Sequence, residues 1–165
     1  MELENHTTKK AYIQLLEDTL NKKLQVLRIL LDMTNQQESI IASETFNEDE
    51  FLQTISSKDE QIQILLKVDA GFEQLYESVK EELVTGKEKY VVEITAIKEL
   101  ITMITDLSVK LQAMETRNKS KLQTVLAKKR KEIKGSRVSN QMATNYYKTM
   151  ANQHEIPSFF YDKKN

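Results

Sequence analysis

Two histidines, His6 and His154, sit near opposite ends of a 165-residue chain that contains no cysteine. General acid–base chemistry needs titratable groups that converge on one point, and so thin a supply gives little to converge. The missing sulfur removes thiolate nucleophiles, disulfide staples and thiolate metal sites together. No Ser/His/Asp order, HExxH, P-loop or GxGxxG pattern occurs. The run Glu48-Asp49-Glu50 has the carboxylates of a calcium site but lacks the Asp-x-Asp-x-Asp-Gly loop. It reads better as the first turn of a helix, where negative charge complements the dipole. The sequence therefore predicts a protein that is not an enzyme, with no cofactor and no metal.

Charge is the chemistry that remains. Residues 1–115 hold 12 Lys+Arg against 22 Asp+Glu, whereas residues 116–165 hold 12 against 3. The cations concentrate in Lys128–Lys134, where 5 of 7 residues are basic. Such a cluster can meet nucleic-acid phosphates or an anionic membrane, or it can be a solvated helix end beside an acidic bundle. The last reading is favoured, because no stacking aromatics lie within the cluster and no Phe- or Leu-rich face accompanies it. Neither nucleic acid nor stable membrane insertion is expected.

The elements that would position these groups are helical. Only 3 Gly and 1 Pro occur, too few for turn-rich sandwiches or barrels. With 30% charged and 39% hydrophobic residues, apolar side chains suffice for a narrow seam. The expected fold is all-α: an elongated antiparallel bundle of three long helices with coiled-coil-like packing, plus a basic, aromatic-containing C-terminal tail. The start of the chain is polar, and no run of about 18 uncharged apolar residues occurs. A cytoplasmic, soluble protein is expected.

The first helix is predicted over about 8–42, capped by Thr7 or Thr8, with Ile13, Leu16, Leu20, Leu27 and Leu30 on one stripe. Leu15, Leu24 and Leu31 widen it enough to face two neighbours. Asn47-Glu48-Asp49-Glu50 resembles a capping box, and Phe46 is placed to staple onto Phe51. The second helix, about 47–84, carries Phe51, Ile55, Ile62, Leu65, Phe72, Tyr76, Val79 and Leu83. Lys58 and Asp69 fall on this seam and must lie near a helix edge or find polar partners. Gly71 reads as a close-packing glycine inside the helix, and Gly86 as a left-handed stop. So short a turn makes the flanking helices antiparallel.

The third helix, about 87–133, repeats Ile97, Leu100, Ile104, Leu107, Leu111 and Met114, then steps by four through Asn118, Leu122 and Leu126. At 1.5 Å per residue it spans about 70 Å, so its C-terminal part is expected to overhang the bundle. Residues 8–134 thus form a bundle domain, and 135–165 a tail that binds a partner or folds back. Five of the eleven aromatics fall in Ser136–Asn165. They either cover exposed seam residues such as Leu122, Val125, Leu126 and Ile133, or belong to a surface that orders when a partner binds.

Two function classes follow. A capture module would hold an amphipathic partner segment in a helical groove and remain monomeric until that partner arrives; a structural coiled-coil scaffold or adaptor would dimerise through its seam.

The stretch from Lys58 to Leu83, Lys-Asp-Glu-Gln-Ile-Gln-Ile-Leu-Leu-Lys-Val-Asp-Ala-Gly-Phe-Glu-Gln-Leu-Tyr-Glu-Ser-Val-Lys-Glu-Glu-Leu, follows a long Leu-rich helix. With Leu111-Gln-Ala-Met-Glu-Thr-Arg-Asn-Lys-Ser-Lys-Leu122 it resembles the FlgN family of flagellar type III export chaperones. The closing Phe159-Phe-Tyr-Asp-Lys-Lys is similar to the ending of members from Gram-positive flagellated bacteria. The resemblance covers roughly Tyr12 to Lys164.

The resemblance implies a cytoplasmic chaperone that keeps the hook-filament junction proteins FlgK and FlgL soluble and export-competent, and that delivers them to the flagellar export apparatus. Other flagellar chaperones are also small helical bundles, so a different flagellar client is the neighbouring reading. Client contact is expected from Leu122, Val125, Leu126, Ile133, Tyr146, Tyr147, Phe159, Phe160 and Tyr161, with the basic residues steering an acidic client or holding the tail.

Overall fold

Long helical stripes with almost no glycine or proline to interrupt them leave the chain few places to turn. The computed structural model describes residues 1–132 and 146–150. It contains α1 (Glu2–Ala42), α2 (Glu48–Thr85), a short 3-10 helix (Lys87–Tyr90) and α3 (Val91–Glu132), with residues 146–150 also helical. The three long helices pack against each other, and no strand occurs among the described residues.

The helix ends show what local chemistry decided. α1 begins at Glu2, six residues before the expected start, with Glu2 and Glu4 in the first turn complementing the dipole. Thr7 and Thr8 are not caps. Their hydroxyls donate back to the carbonyls of Leu3 and Glu4, both at 2.9 Å, as threonines do inside a helix. At α2 the cap forms as the sequence indicated: Asn47 Oδ1 accepts the Glu50 amide at 3.1 Å. The Phe46 and Phe51 rings stand 6.0 Å apart across it, the hydrophobic staple.

Both interior glycines differ from expectation. α2 runs unbroken through Gly71, but a Cβ there would meet nothing within 4 Å, so close packing does not explain it. Gly86 is not left-handed; its φ is −102° and its ψ is 23°. It is required sterically, because a Cβ would lie 2.9 Å from the Glu82 carbonyl oxygen that accepts the Gly86 amide at 2.8 Å. The Gly86 carbonyl accepts from the Lys89 amide at 2.8 Å, which starts the 3-10 helix. The third α-helix consequently begins at Val91 rather than Lys87.

The chain divides into two compact units. The first includes Met1–Val26 and Ile64–Asp106. Lys9 donates to the Ser78 carbonyl at 2.6 Å and Lys23 pairs with Asp69 at 2.8 Å, so α1 and α2 are antiparallel here. The second unit includes Leu27–Gln63 and Leu107–Glu155. There Thr34 meets Lys58 and Gln37 meets Thr54, again antiparallel. Along α3, Thr34 meets Glu115 whereas Glu38 meets Lys121, so α1 and α3 are parallel.

The core follows the predicted stripe on α1, with Ile13, Leu16, Leu20, Leu27 and Leu30 buried, although Leu15 is 45% exposed. On α3 the buried line is Ile94, Ile97, Ile101, Ile104, Ser108, Leu111, whereas the expected Leu100 and Leu107 are only half-buried. The predicted overhang of α3 is absent. In the second unit Lys129 donates to the Phe46 carbonyl and lies 5.0 Å from the Phe46 ring centroid, so the α1–α2 connection covers the last turns of α3. Among the described residues no helix is long and apolar enough to cross a membrane.

Candidate functional site

Seam positions in a helical bundle are normally apolar, and polar residues placed there must find partners or lose several kcal/mol. In the second unit five polar residues occupy such positions: Thr34 and Gln37 continue the α1 stripe, Lys58 lies on α2, and Glu115 and Asn118 lie on α3. All five are buried. They meet at one level, and each is satisfied mainly by the others.

Lys58 is the centre. Its Nζ donates to Thr34 Oγ1 at 2.8 Å, to Gln37 Oε1 at 2.7 Å and to Glu115 Oε1, which uses all three ammonium protons. The side chains of Lys58 and Glu115 are 0% and 4% exposed. Gln37 passes the network on to Thr54 at 2.9 Å, and Asn118 Nδ2 donates to the Thr34 carbonyl at 3.1 Å. Burial pulls the Lys58 pKa down to about 8, against the opposing pull of the Glu115 charge and hydrogen bond. Desolvation is thus larger than attraction here, the usual balance for an interior ion pair.

The C-terminal turn docks onto this network. The Tyr146 hydroxyl donates to Glu115 Oε1, and its ring lies over Lys58 with Nζ 4.2 Å from the centroid. Tyr146, Tyr147 and Met150 are all buried. The two tyrosine rings make an edge contact with centroids 5.1 Å apart, and Lys119 Nζ stands 6.0 Å from the Tyr147 ring. Burial first, and the Glu115 charge second, raise both phenols above their ordinary value, so both hydroxyls stay protonated. Three side-chain oxygens are buried with no hydrogen-bond partner among the described residues: Glu115 Oε2 and the Tyr147 hydroxyl at this site, and Ser108 Oγ one heptad before Glu115 on α3. One carboxylate oxygen is crowded with donors while the other has none.

Of the residues expected to contact a client, Leu122 and Leu126 are 2% and 3% exposed on α3, Val125 is half-buried between them, and Tyr146 and Tyr147 lie in the docked turn. Ile133, Phe159, Phe160 and Tyr161 lie outside the described residues. Sequence reasoning marked Lys58 as needing a partner but did not find Glu115. The signal is the heptad Ile94, Ile101, Ser108, Glu115, Leu122, one position along from the Leu100, Leu107, Met114 line. Thr34 and Gln37 were equally readable as continuations of Leu27 and Leu30. The basic run begins at the end of α3, where Lys128, Arg130 and Lys131 are exposed and Lys129 is tied to Phe46.

The first unit has its own polar contacts. Lys23, nearly buried, pairs with Asp69, and the Tyr90 hydroxyl donates to Glu82 at 3.0 Å and lies 3.1 Å from His6 Nδ1. Burial and then the Glu82 hydrogen bond push the Tyr90 phenol up to about 12. No family model matches the sequence, and no curated protein or solved structure is significantly similar to it.

Proposed function

We propose that this chain is a FlgN-type cytoplasmic chaperone that binds hook-filament junction proteins of the FlgK and FlgL type and keeps them export-competent. The reading rests on the resemblance carried by the Lys58–Leu83 and Leu111–Leu122 stretches and by the Phe159–Lys164 ending. The observation that carries it furthest is the docked segment: helical residues 146–150 lie over a polar anchor built from three helices. A helix-in-groove capture site needs such a receiving face. The proposed client surface is the C-terminal segment with the half-buried Val125; Leu122 and Leu126 are buried on α3 and reach a client only where it displaces contacts the chain makes to itself.

Co-expression with a FlgK-like or FlgL-like protein, followed by size-exclusion chromatography with light scattering, tests this. The expected result is a monomeric chain that forms a stable one-to-one complex. A stable dimer that ignores both clients would overturn the reading and favour the coiled-coil scaffold.

A further inference from the structure

Burying Glu115 changes the outer surface of α3 as well as the core. Residues 107–131 hold 8 Lys+Arg and one carboxylate, and that carboxylate is Glu115. With it inside the polar layer, the stretch shows solvent cations alone. In the same unit, Leu27–Gln63 hold 2 Lys+Arg against 8 Asp+Glu, so the positive charge belongs to one helix.

Lys110, Arg117, Lys121, Lys128 and Lys131 are all exposed. Their steps of seven, four, seven and three residues place them on one helical stripe. At 1.5 Å per residue the row is about 31 Å long, with uneven gaps of about 4.5–10.5 Å. Lys121 pairs with Glu38 of α1 at 3.1 Å, whereas the other four make no ion pair among the described residues.

Three kinds of polyanion can meet such a row, and its make-up separates them. A folded protein partner needs apolar anchors at the centre of its interface. Beside the cations stand Ala113, Ser120, Thr124 and Ala127, all exposed and small. A single-stranded nucleic acid needs stacking aromatics, and residues 107–131 contain none. Any polymer carries its charges at fixed intervals, which uneven gaps match poorly. Lipid headgroups move laterally and gather under cations at whatever spacing those have. The small residues let the helix lie close to such a surface, and the long lysine and arginine stems reach its headgroups. Val109 is the one exposed large apolar side chain of the stretch, too little for insertion.

We propose that this outer row of α3 is a docking surface for a bilayer rich in anionic lipid, which it meets by charge alone, without insertion and without need of a client. Flotation with large unilamellar vesicles tests this, using phosphatidylcholine alone or mixed with phosphatidylglycerol at roughly 3:1. The full-length chain should bind the mixed vesicles at least tenfold more tightly than the neutral ones. That gain should vanish at about 1 M NaCl, where the Debye length shrinks to about 3 Å.

Lys110→Gln/Arg117→Gln/Lys128→Gln/Lys131→Gln should weaken binding to mixed vesicles at least tenfold. Lys10→Gln/Lys22→Gln/Lys67→Gln/Lys87→Gln removes the same charge from exposed positions in the first unit and should change it less than twofold. Equal losses would mean that net charge rather than the row is read, and would overturn the proposal. No preference for mixed vesicles, or a preference that survives the salt, would overturn it too. So would tighter binding, at equal salt, to a duplex DNA oligonucleotide or to poly-glutamate, which would assign the row to another polyanion. If circular dichroism shows the first quadruple variant unfolded, Lys110→Gln/Arg117→Gln and Lys128→Gln/Lys131→Gln are made separately. Each should lose at least threefold, and a loss in neither overturns the proposal.

Discussion

Lys58 and Glu115 form an ion pair at the level where α1, α2 and α3 of the second unit meet, with side chains 0% and 4% exposed. Such a pair is strong only while both members are present. Lys58→Met should leave an uncompensated carboxylate and lower stability by about 3–5 kcal/mol. Lys58→Met/Glu115→Leu should recover most of that loss, short of what Tyr146 forfeits with its acceptor. Urea unfolding of the two variants checks this, and a double variant no more stable than Lys58→Met would refute it.

The same lysine sets a pH window. Its folded-state pKa, about 8, lies below the ordinary 10.5. Between those values the unfolded chain binds more protons than the folded one, so raising pH favours folding. Wild type should therefore gain stability relative to Lys58→Met from about pH 8 to about pH 10.5. Tyr146 opposes this only above pH 10, since a raised phenol pKa gives stability that is complete below 10 and lost as pH climbs toward the folded value. Paired urea titrations at pH 7.5 and 9.5 isolate the lysine, and a gap that does not widen would contradict the assignment.

How much of this was legible depends on whether the signal was local. The Asn47 cap and the Phe46–Phe51 staple are contained within six residues, and both formed as read. The α1 stripe was legible because leucines and isoleucines marked it. The polar layer was legible only as seam positions: Thr34 and Gln37 continue the α1 stripe and Glu115 continues the Ile94, Ile101, Ser108 line, but that the three meet Lys58 is a matter of how the helices align, which is a tertiary fact. Lys58 was flagged only because it interrupted an apolar line. The α3 overhang was misjudged for a related reason: helix length is local, but the cover that Phe46 and its connection give to Lys129 is not.

The two interior glycines should respond to alanine with opposite signs. At Gly71 the helix is regular and the added methyl meets nothing, so Gly71→Ala should stabilise by about 1 kcal/mol through helix propensity. At Gly86 the methyl meets the Glu82 carbonyl oxygen at 2.9 Å, so the turn must shift and Gly86→Ala should destabilise. Thermal melts should move in opposite directions, by about 2–4 °C upward for the first. Equal shifts would mean that the turn relaxes without cost.

The two tyrosines of the docked turn offer a sharper contrast, because each can lose its oxygen with little change of shape. The Tyr146 hydroxyl donates to Glu115 Oε1, a charge-assisted bond in a buried site, and Tyr146→Phe should cost about 1.5–3 kcal/mol. The Tyr147 hydroxyl is buried with no partner among the described residues, so Tyr147→Phe removes an unsatisfied group. It should be neutral or slightly stabilising. Hydrogen exchange at the amides of residues 146–150, which reports local opening of the turn rather than global unfolding, should speed up in Tyr146→Phe and stay unchanged or slow in Tyr147→Phe. If both variants loosen the turn equally, the hydroxyl of Tyr147 has a partner whose loss matters as much as that of the Glu115 bond. If neither does, the polar anchor contributes nothing to seating the turn, and apolar contact alone holds it.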